Sequence, residues 1–295
     1  MVDDGSSDGT TELITTFSDP RIILIKQRHV GIYRLAESYN RALRECRSPL
    51  VAILEGDDFW PSEKLRTQVG TVARKEVVLS YGLAGMTTEK GMEYAVSSLP
   101  RVSDFTLANK PPGSILSKLL FHNFIPAVTV IMKRESLEEI DGFVQPRGAN
   151  AVDYATWIRL SLKGEFSFMR RRLGFSRKHP TSASLQSTYA EYASNYRYGL
   201  DFLSEIGTNL DNAEEIAHRL RKVIYLLQFR YKLQLGRKSL VIEDWKGARS
   251  IFRDLLRSPD PQMCLASCLG LYCSYTHTSL ERLMRMLGGY PLRIS

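Results

Sequence analysis

Two short acidic runs, each placed where an apolar strand runs out, constrain the fold of this chain more than any other feature. The first, VDDGSSDGT from Val2 to Thr10, reads as the end of a buried strand entering a turn punctuated by Gly5 and Gly9. Glycine there permits positive φ and a close approach of backbone to a ligand. The carboxylates would stand at a strand's carboxyl end, where open α/β sheets bind ligands. Asp8 or Thr10 is placed to cap a helix running through Phe17. Alone, such a run of Asp, Gly and Ser is an ordinary loop. It gains weight from the second run, LVAILEGDDFWP. Leu50 to Leu54 has the length and type of a strand buried on both faces. Glu55, Asp57 and Asp58 then gather at its end, and Pro61 suits the first turn of a helix reaching about Lys75. Neighbouring carboxylates repel one another unless a cation or donor groups neutralise them, so a divalent metal carrying phosphates is a natural partner. A solvated turn with a helix cap is the plainer alternative.

A third segment lies about a hundred residues on. In NAVDYATWIRLSLKGEF, Tyr154, Trp157, Ile158 and Leu160 recur at helical spacing, which places Asp153 in a helix's first turn. Gly164 is expected to end that helix as a left-handed cap. The basic run Arg177, Lys178, His179 follows within GFSRKHPTSAS. Between the motifs, RHVGIYRLAESYNRALREC predicts an amphipathic helix with Leu35, Tyr39, Ala42 and Leu43 on its apolar side. AVTVIMKRESLEEIDGF predicts a buried strand, a short helix and a turn at Asp141 and Gly142.

Taken together, VDDGSSDGT, LEGDD and DY..W.RL with its RKHP ending resemble the nucleotide-diphosphosugar domain of inverting family 2 glycosyltransferases. The resemblance implies an α/β class chain: a GT-A fold, with a Rossmann-like mixed sheet, over residues 1–187, and an α-helical region over 188–295. It implies that Asp3, Asp4 and Ser6 hold the nucleobase and ribose of a nucleotide-sugar donor, with Asp4 on the uracil of a UDP-sugar. Asp58 is the implied ligand of Mn²⁺ or Mg²⁺, with Asp57 towards ribose or metal. Glu55 stands where the family usually carries Asp. Asp153 is the implied catalytic base, although Val152 replaces the Glu that precedes it in the family. Arg177 and His179 would close over the pyrophosphate, with metal coordination a second role for His179, and Arg34 and Asn40 would approach the donor.

The chemistry explains such a set. Inverting transfer is a direct displacement at the anomeric carbon, so an acceptor hydroxyl of a glycan or lipid-linked glycan must lose its proton as it attacks. The nucleoside diphosphate leaving group needs a preorganised cation. Family members begin with a further strand, an aromatic-Asn turn and a helix, whereas Met1 here falls within the second strand. The expectation is an N-terminally truncated domain with unpaired backbone groups and a gap in its core. A catalytically impaired remnant that only binds nucleotide sugars or a membrane surface is the alternative.

The remaining features bound the setting. The four cysteines form no CxxC pair, so a reduced, cytoplasmic protein is expected. A net charge of +8 admits nucleic acid or anionic membranes as partners. Basic residues interspersed with acids, and no nucleic-acid motif, argue against nucleic acid and for peripheral contact at the inner face of the plasma membrane. A nucleotidyltransferase would require a glycine-rich basic phosphate loop near the first strand, and none is found. From Tyr189 the pattern turns helical, and the apolar stretch Met263 to Tyr275, followed by RLMRMLGGYPLR, predicts either a core helix hairpin or a helix lying in the plane of a membrane.

Overall fold

The computed structural model describes residues 1–179, 182, 187–207 and 212–278. They fall into two units, Met1–Leu210 and Asp211–Ser295. The first unit runs β1 (Val2–Asp3), α1 (Thr10–Thr15), β2 (Ile25–Lys26), α2 (Leu35–Glu45), β3 (Leu50–Ala52), α3 (Lys64–Val72), β4 (Val77–Thr87), β5 (Glu93–Val96), α4 (Asp104–Leu107), α5 (Leu116–Leu119), β6 (Ile131–Lys133), α6 (Arg134–Glu138), α7 (Asp153–Leu160), β7 (Glu165–Arg177) and α8 (Tyr189–Ile206).

The apolar run of β4 makes it the axis of a five-stranded mixed sheet, because a strand buried on both faces belongs at the centre. β7 runs parallel to β4 from Val77 to Thr87, while β6 and β5 pair with it antiparallel. β3 closes the sheet antiparallel to β6. β1 and β2 pair in parallel as a separate two-stranded ribbon, with Val2 opposite Ile25. α3 packs against β4 and β6, and Val72, Leu79, Val130, Met132, Trp157 and Phe166 fill the core. Each such side chain contributes about 1.5–3 kcal/mol by leaving water.

β3 is shorter than its apolar run: Ile53 still turns inward, but Leu54 is exposed as the chain leaves the sheet for the acidic turn. α7 is anchored at its apolar face by Trp157 Nε1 donating to Ile125 O at 3.2 Å and Tyr154 Oη donating to Leu120 O at 2.8 Å. The left-handed cap expected at Gly164 is not formed. α7 ends at Leu160 with a right-handed Ser161 cap. Gly164 instead allows close packing of the β7 entry on β4, since a Cβ there would come within 2.4 Å of Val78 Cγ1.

The composition change near residue 188 does not coincide with the division between units, which falls after Leu210. α8 belongs to the first unit because its polar side chains are bonded there. Glu191, which closes a capping box with Thr188, also accepts from Tyr33 Oη at 2.8 Å, and Tyr196 Oη donates to Phe121 O at 3.1 Å. Arg159 of α7 donates to Tyr198 Oη at 2.7 Å and to Glu205 at 3.0 Å.

The second unit is built from α9 (Ala213–Val241), α10 (Trp245–Leu255) and α11 (Pro261–Thr276) around Phe229, Leu240, Phe252, Leu255 and Cys273. Asp244 and Asp260 cap α10 and α11 by accepting backbone N–H bonds, each at 2.9 Å, and Pro261 occupies the first turn of α11. α11 turns Ser267, Gly270, Cys273 and Ser274 inward, while Leu265, Leu269, Tyr272 and Tyr275 lie exposed, so the stretch from Met263 to Tyr275 packs one face on the helical core and leaves an apolar face uncovered. No helix among the described residues is long and apolar enough to cross a membrane. The segment RLMRMLGGYPLR lies outside the described residues.

Candidate active site

The first acidic turn is a self-contained hydrogen-bonded unit. Asp3 is buried at the end of β1, accepts from Ser6 N at 3.0 Å and also from the Thr11 hydroxyl. The bonds from Ser6 and Thr11 hold its carboxyl below the ordinary carboxylate range. For Asp4, desolvation pushes upward, but Gln27 Nε2 at 2.7 Å and the N–H groups of Val30 at 2.9 Å and Gly31 at 3.2 Å outweigh it, and the net shift is downward. Asp4 therefore ties β1 to the loop before α2. His29 Nδ1 lies 2.9 Å from the Asp4 carbonyl oxygen. Ser6 remains exposed on the turn.

The second turn is where charge accumulates. Glu55, Asp57 and Asp58 each offer a carboxylate oxygen, and these oxygens all lie within 4.8 Å of one another. Glu55 accepts from Tyr39 Oη at 2.6 Å. Its carboxyl is pushed up to about 7, first by desolvation, with the Tyr39 bond opposing and the charges of Asp58, Asp153 and Asp57 adding to the rise. Asp58 is also raised: desolvation leads, the Arg177 N–H opposes at 3.0 Å, and Asp57 adds repulsion. Such mutual repulsion is relieved by a cation, and an all-carboxylate oxygen set suits Mg²⁺ or Mn²⁺, which complete their shells with water and phosphate oxygens. The residues present therefore fit the implied metal.

The end of β7 lies against this turn. Phe59 bridges antiparallel to Phe175, and their rings stack with centroids 4.9 Å apart. The Arg177 guanidinium lies over Phe59 at 5.4 Å, with Nε donating to Asp57 O at 2.9 Å and a terminal nitrogen to Glu89 O at 2.8 Å. His179 Nε2 lies 3.2 Å from Asp57 Oδ2. The basic run thus reaches the acidic turn across about 120 residues of sequence.

Asp153, the first residue of α7, accepts from Asn123 Nδ2 at 2.8 Å and from Tyr154 N at 2.8 Å. Desolvation raises its pKa against these bonds. Its charge acts on both Glu55 and Tyr39, which places the proposed base within electrostatic range of the metal-type cluster. The structure accordingly unites Glu55, Asp57, Asp58, Asp153, Arg177 and His179. Arg34, just before α2, pairs with Glu37 of that helix at 2.6 Å, and its guanidinium stays largely exposed. Asn40 is committed as well, accepting from Phe143 N at 2.7 Å and donating to Phe143 O at 2.9 Å. Tyr39 and Asn123 are the site residues that the sequence did not disclose; Tyr39 looked like an apolar-face residue of α2, and Asn123 carried no signal.

The fold is that of a GT-A glycosyltransferase domain, and comparison with known proteins agrees. Residues 1–140 match the model of the family described as glycosyl transferase family 2, and the chain carries a family 2 glycosyltransferase domain of the GT-A fold. Among curated proteins, the chain is 26% identical over 168 residues to UDP-Glc:alpha-D-GlcNAc-diphosphoundecaprenol beta-1,3-glucosyltransferase WfaP of Escherichia coli, covering 56% of this chain and 58% of that protein. It is 26% identical over 167 residues to the putative teichuronic acid biosynthesis glycosyltransferase TuaG of Bacillus subtilis, covering 56% of this chain and 60% of that one. The matched segment spans less than two thirds of either relative. Among solved structures, S. aureus TarS 1-349 in complex with UDP-GlcNAc superposes with a TM-score of 0.56 at 13% identity, covering 98% of this chain and 82% of that one. The mannosyltransferase PcManGT of Pyrobaculum calidifontis, in complex with GDP-Man and Mn²⁺, gives 0.50 at 17% identity, covering 94% and 72%.

Proposed function

We propose that this protein transfers a sugar, with inversion and metal assistance, from a nucleoside-diphosphate donor to a hydroxyl of a glycan or lipid-linked acceptor, with a UDP-sugar the favoured donor. The observation that carries the reading is the gathering of Glu55, Asp57 and Asp58 within 4.8 Å, in the electrostatic range of Asp153 and beneath Arg177 and His179. Both named curated relatives are glycosyltransferases, and the solved neighbours include complexes with UDP-GlcNAc and with GDP-Man and Mn²⁺. Asp58, with Asp57 and Glu55, would hold the cation, which when bound supplies positive charge for the leaving diphosphate. Asp153 accepts the acceptor's hydroxyl proton; the new C–O bond forms on the face of the anomeric carbon opposite the breaking C–O(phosphate) bond. Asn123 and the Tyr154 N–H fix the two oxygens of Asp153, and its raised pKa makes the carboxylate a stronger base. Arg177, anchored on the Asp57 and Glu89 carbonyls, and His179 line the mouth of the acidic turn as positive or hydrogen-bonding contacts for phosphate. Asp3, Asp4 and Ser6 shape the turn proposed for nucleobase and ribose. An acceptor carried on a lipid accords with attachment at the cytoplasmic membrane face.

The test is a screen of nucleotide sugars for calorimetric binding and for transfer to lipid-linked and soluble acceptors, with and without Mn²⁺ or Mg²⁺. Metal-dependent binding of one donor with product formation is expected. Absence of nucleotide binding under all conditions would overturn the reading.

A further inference from the structure

Tyr39 stands at the junction of three parts of the first unit. From α2 its hydroxyl donates to Glu55 Oε1 at 2.6 Å, at the start of the second acidic turn. Its ring meets Phe143 edge-on at a centroid distance of 5.0 Å. The next residue, Asn40, binds both the N–H and the carbonyl of Phe143. From Phe143 the chain leads into α7: Val144 N donates to Thr156 Oγ1 at 3.0 Å, and Gln145 joins Ala36 N, Ile32 O and Ala149 O. One dipeptide of α2 thus grips the metal-type turn with one side chain and the segment preceding the base helix with both.

We infer that Tyr39 is a positioning residue: it draws Glu55 towards α2, away from full commitment to a cation, and fixes the acidic turn relative to the helix that carries Asp153. The inference rests on the transferase reading of the site. In-line displacement requires the leaving diphosphate and the base on opposite sides of one carbon, so the spacing between the two parts governs the chemical step. The bond to Tyr39 engages Oε1 of Glu55, so Glu55 shares its charge between the tyrosine and a cation that Asp57 and Asp58 also face.

Tyr39→Phe keeps the ring against Phe143 and removes only the donor. With wild-type binding of UDP-sugar and unchanged thermal unfolding, kcat is expected to fall on the order of tenfold, the scale on which small misplacements act, with KM little changed. Mn²⁺ alone should bind the variant more tightly, because Glu55 is released to the cluster; a merely structural tyrosine would not tighten a metal. Glu55→Gln supplies the control, since its amide oxygen still accepts from Tyr39 but brings no charge: in that background Tyr39→Phe should leave Mn²⁺ affinity unchanged. A Tyr39→Phe protein with wild-type kcat overturns the inference. If the wild type transfers no sugar, the function reading fails on its own, and the Mn²⁺ titration still decides for Tyr39: equal affinity in wild type and variant overturns it.

Discussion

Lys64, at the start of α3, is fully buried, and among the described residues no carboxylate pairs with it in a salt bridge. Its Nζ donates to Gln68 Oε1 at 2.8 Å and to Val130 O at 3.4 Å, and it lies 4.7 Å from the centroid of the Trp60 ring. Desolvation lowers its pKa from 10.5 to about 7. A base whose folded value lies below its unfolded value binds fewer protons folded than unfolded between those two values, so stability rises with pH across that window. The destabilisation is complete below about 7 and gone above 10.5. At about 1.4 kcal/mol per pH unit it amounts to about 5 kcal/mol at most.

Lys64→Met fills the same space without a charge. It forfeits the two hydrogen bonds and the cation over Trp60, together costing about 2–4 kcal/mol. The variant should therefore be about 1–3 kcal/mol more stable than wild type near pH 6.5, where the lysine's burial is most unfavourable. Near pH 10.5 the amine is neutral and only its two hydrogen bonds remain to be lost, so the order should reverse, leaving the variant about 1–3 kcal/mol less stable. The assay is urea unfolding from pH 6.5 to 10.5 in a Trp245→Phe background, so that fluorescence reports Trp60 and Trp157 of the first unit. Subtracting the two curves cancels every other titrating group. A difference in stability that does not change with pH would refute the argument, because it would mean that Lys64 keeps its charge solvated or paired when folded.

Four further outcomes are expected. Asp153→Asn keeps the size of the base but cannot take the proton, so transfer should fall by about 10²–10⁴-fold with donor affinity and unfolding temperature retained; steady-state kinetics with calorimetry checks this, and wild-type turnover would remove Asp153 from the chemistry. Because the pKa of Asp153 is raised and the base must be deprotonated, activity should drop as pH falls through a value above the ordinary carboxylate range, and a flat acid limb down to that range would contradict the assignment. Asp58→Ala should abolish the metal-dependent part of UDP binding measured by titration calorimetry with and without Mn²⁺. Gly142→Ala should destabilise by about 1–3 kcal/mol in thermal unfolding, since Gly142 has φ of +89° and an added Cβ would meet Asn40 Oδ1 at 2.3 Å.

What the sequence disclosed and what it concealed divide along a physical line. The acidic turns were legible because each is a local run: an apolar strand that ends in Glu55, Asp57 and Asp58 advertises both its secondary structure and its charge within a dozen residues. The helix of Asp153 was legible for the same reason, through the spacing of Tyr154, Trp157 and Leu160. Its left-handed cap was not, because Gly164 serves a contact with Val78 that lies 86 residues away in sequence. Periodicity assigns a side chain to a face but not to a partner, so Tyr39 read as one more apolar-face residue, when its ring does pack on Phe143 and its hydroxyl alone carries the link to Glu55. For Arg34 the family pattern suggested a donor contact and could not show the pairing with Glu37 three residues on. Lys64 defied the strongest prior of all, that lysine stays in water. It is inside because α3 must lie flat on β4 and β6, and Gln68 reaches past it to Ser80 and Thr129. α8 follows the same logic at larger scale. Its polar residues 191, 196, 198 and 205 looked like the start of a separate helical region, and only their bonds to Tyr33, Phe121 and Arg159 assign it to the first unit. A site assembled from separate turns and helices is therefore announced by its charges, which are local, and tuned by neutral residues such as Tyr39 and Asn123, whose significance exists only once the chain has folded.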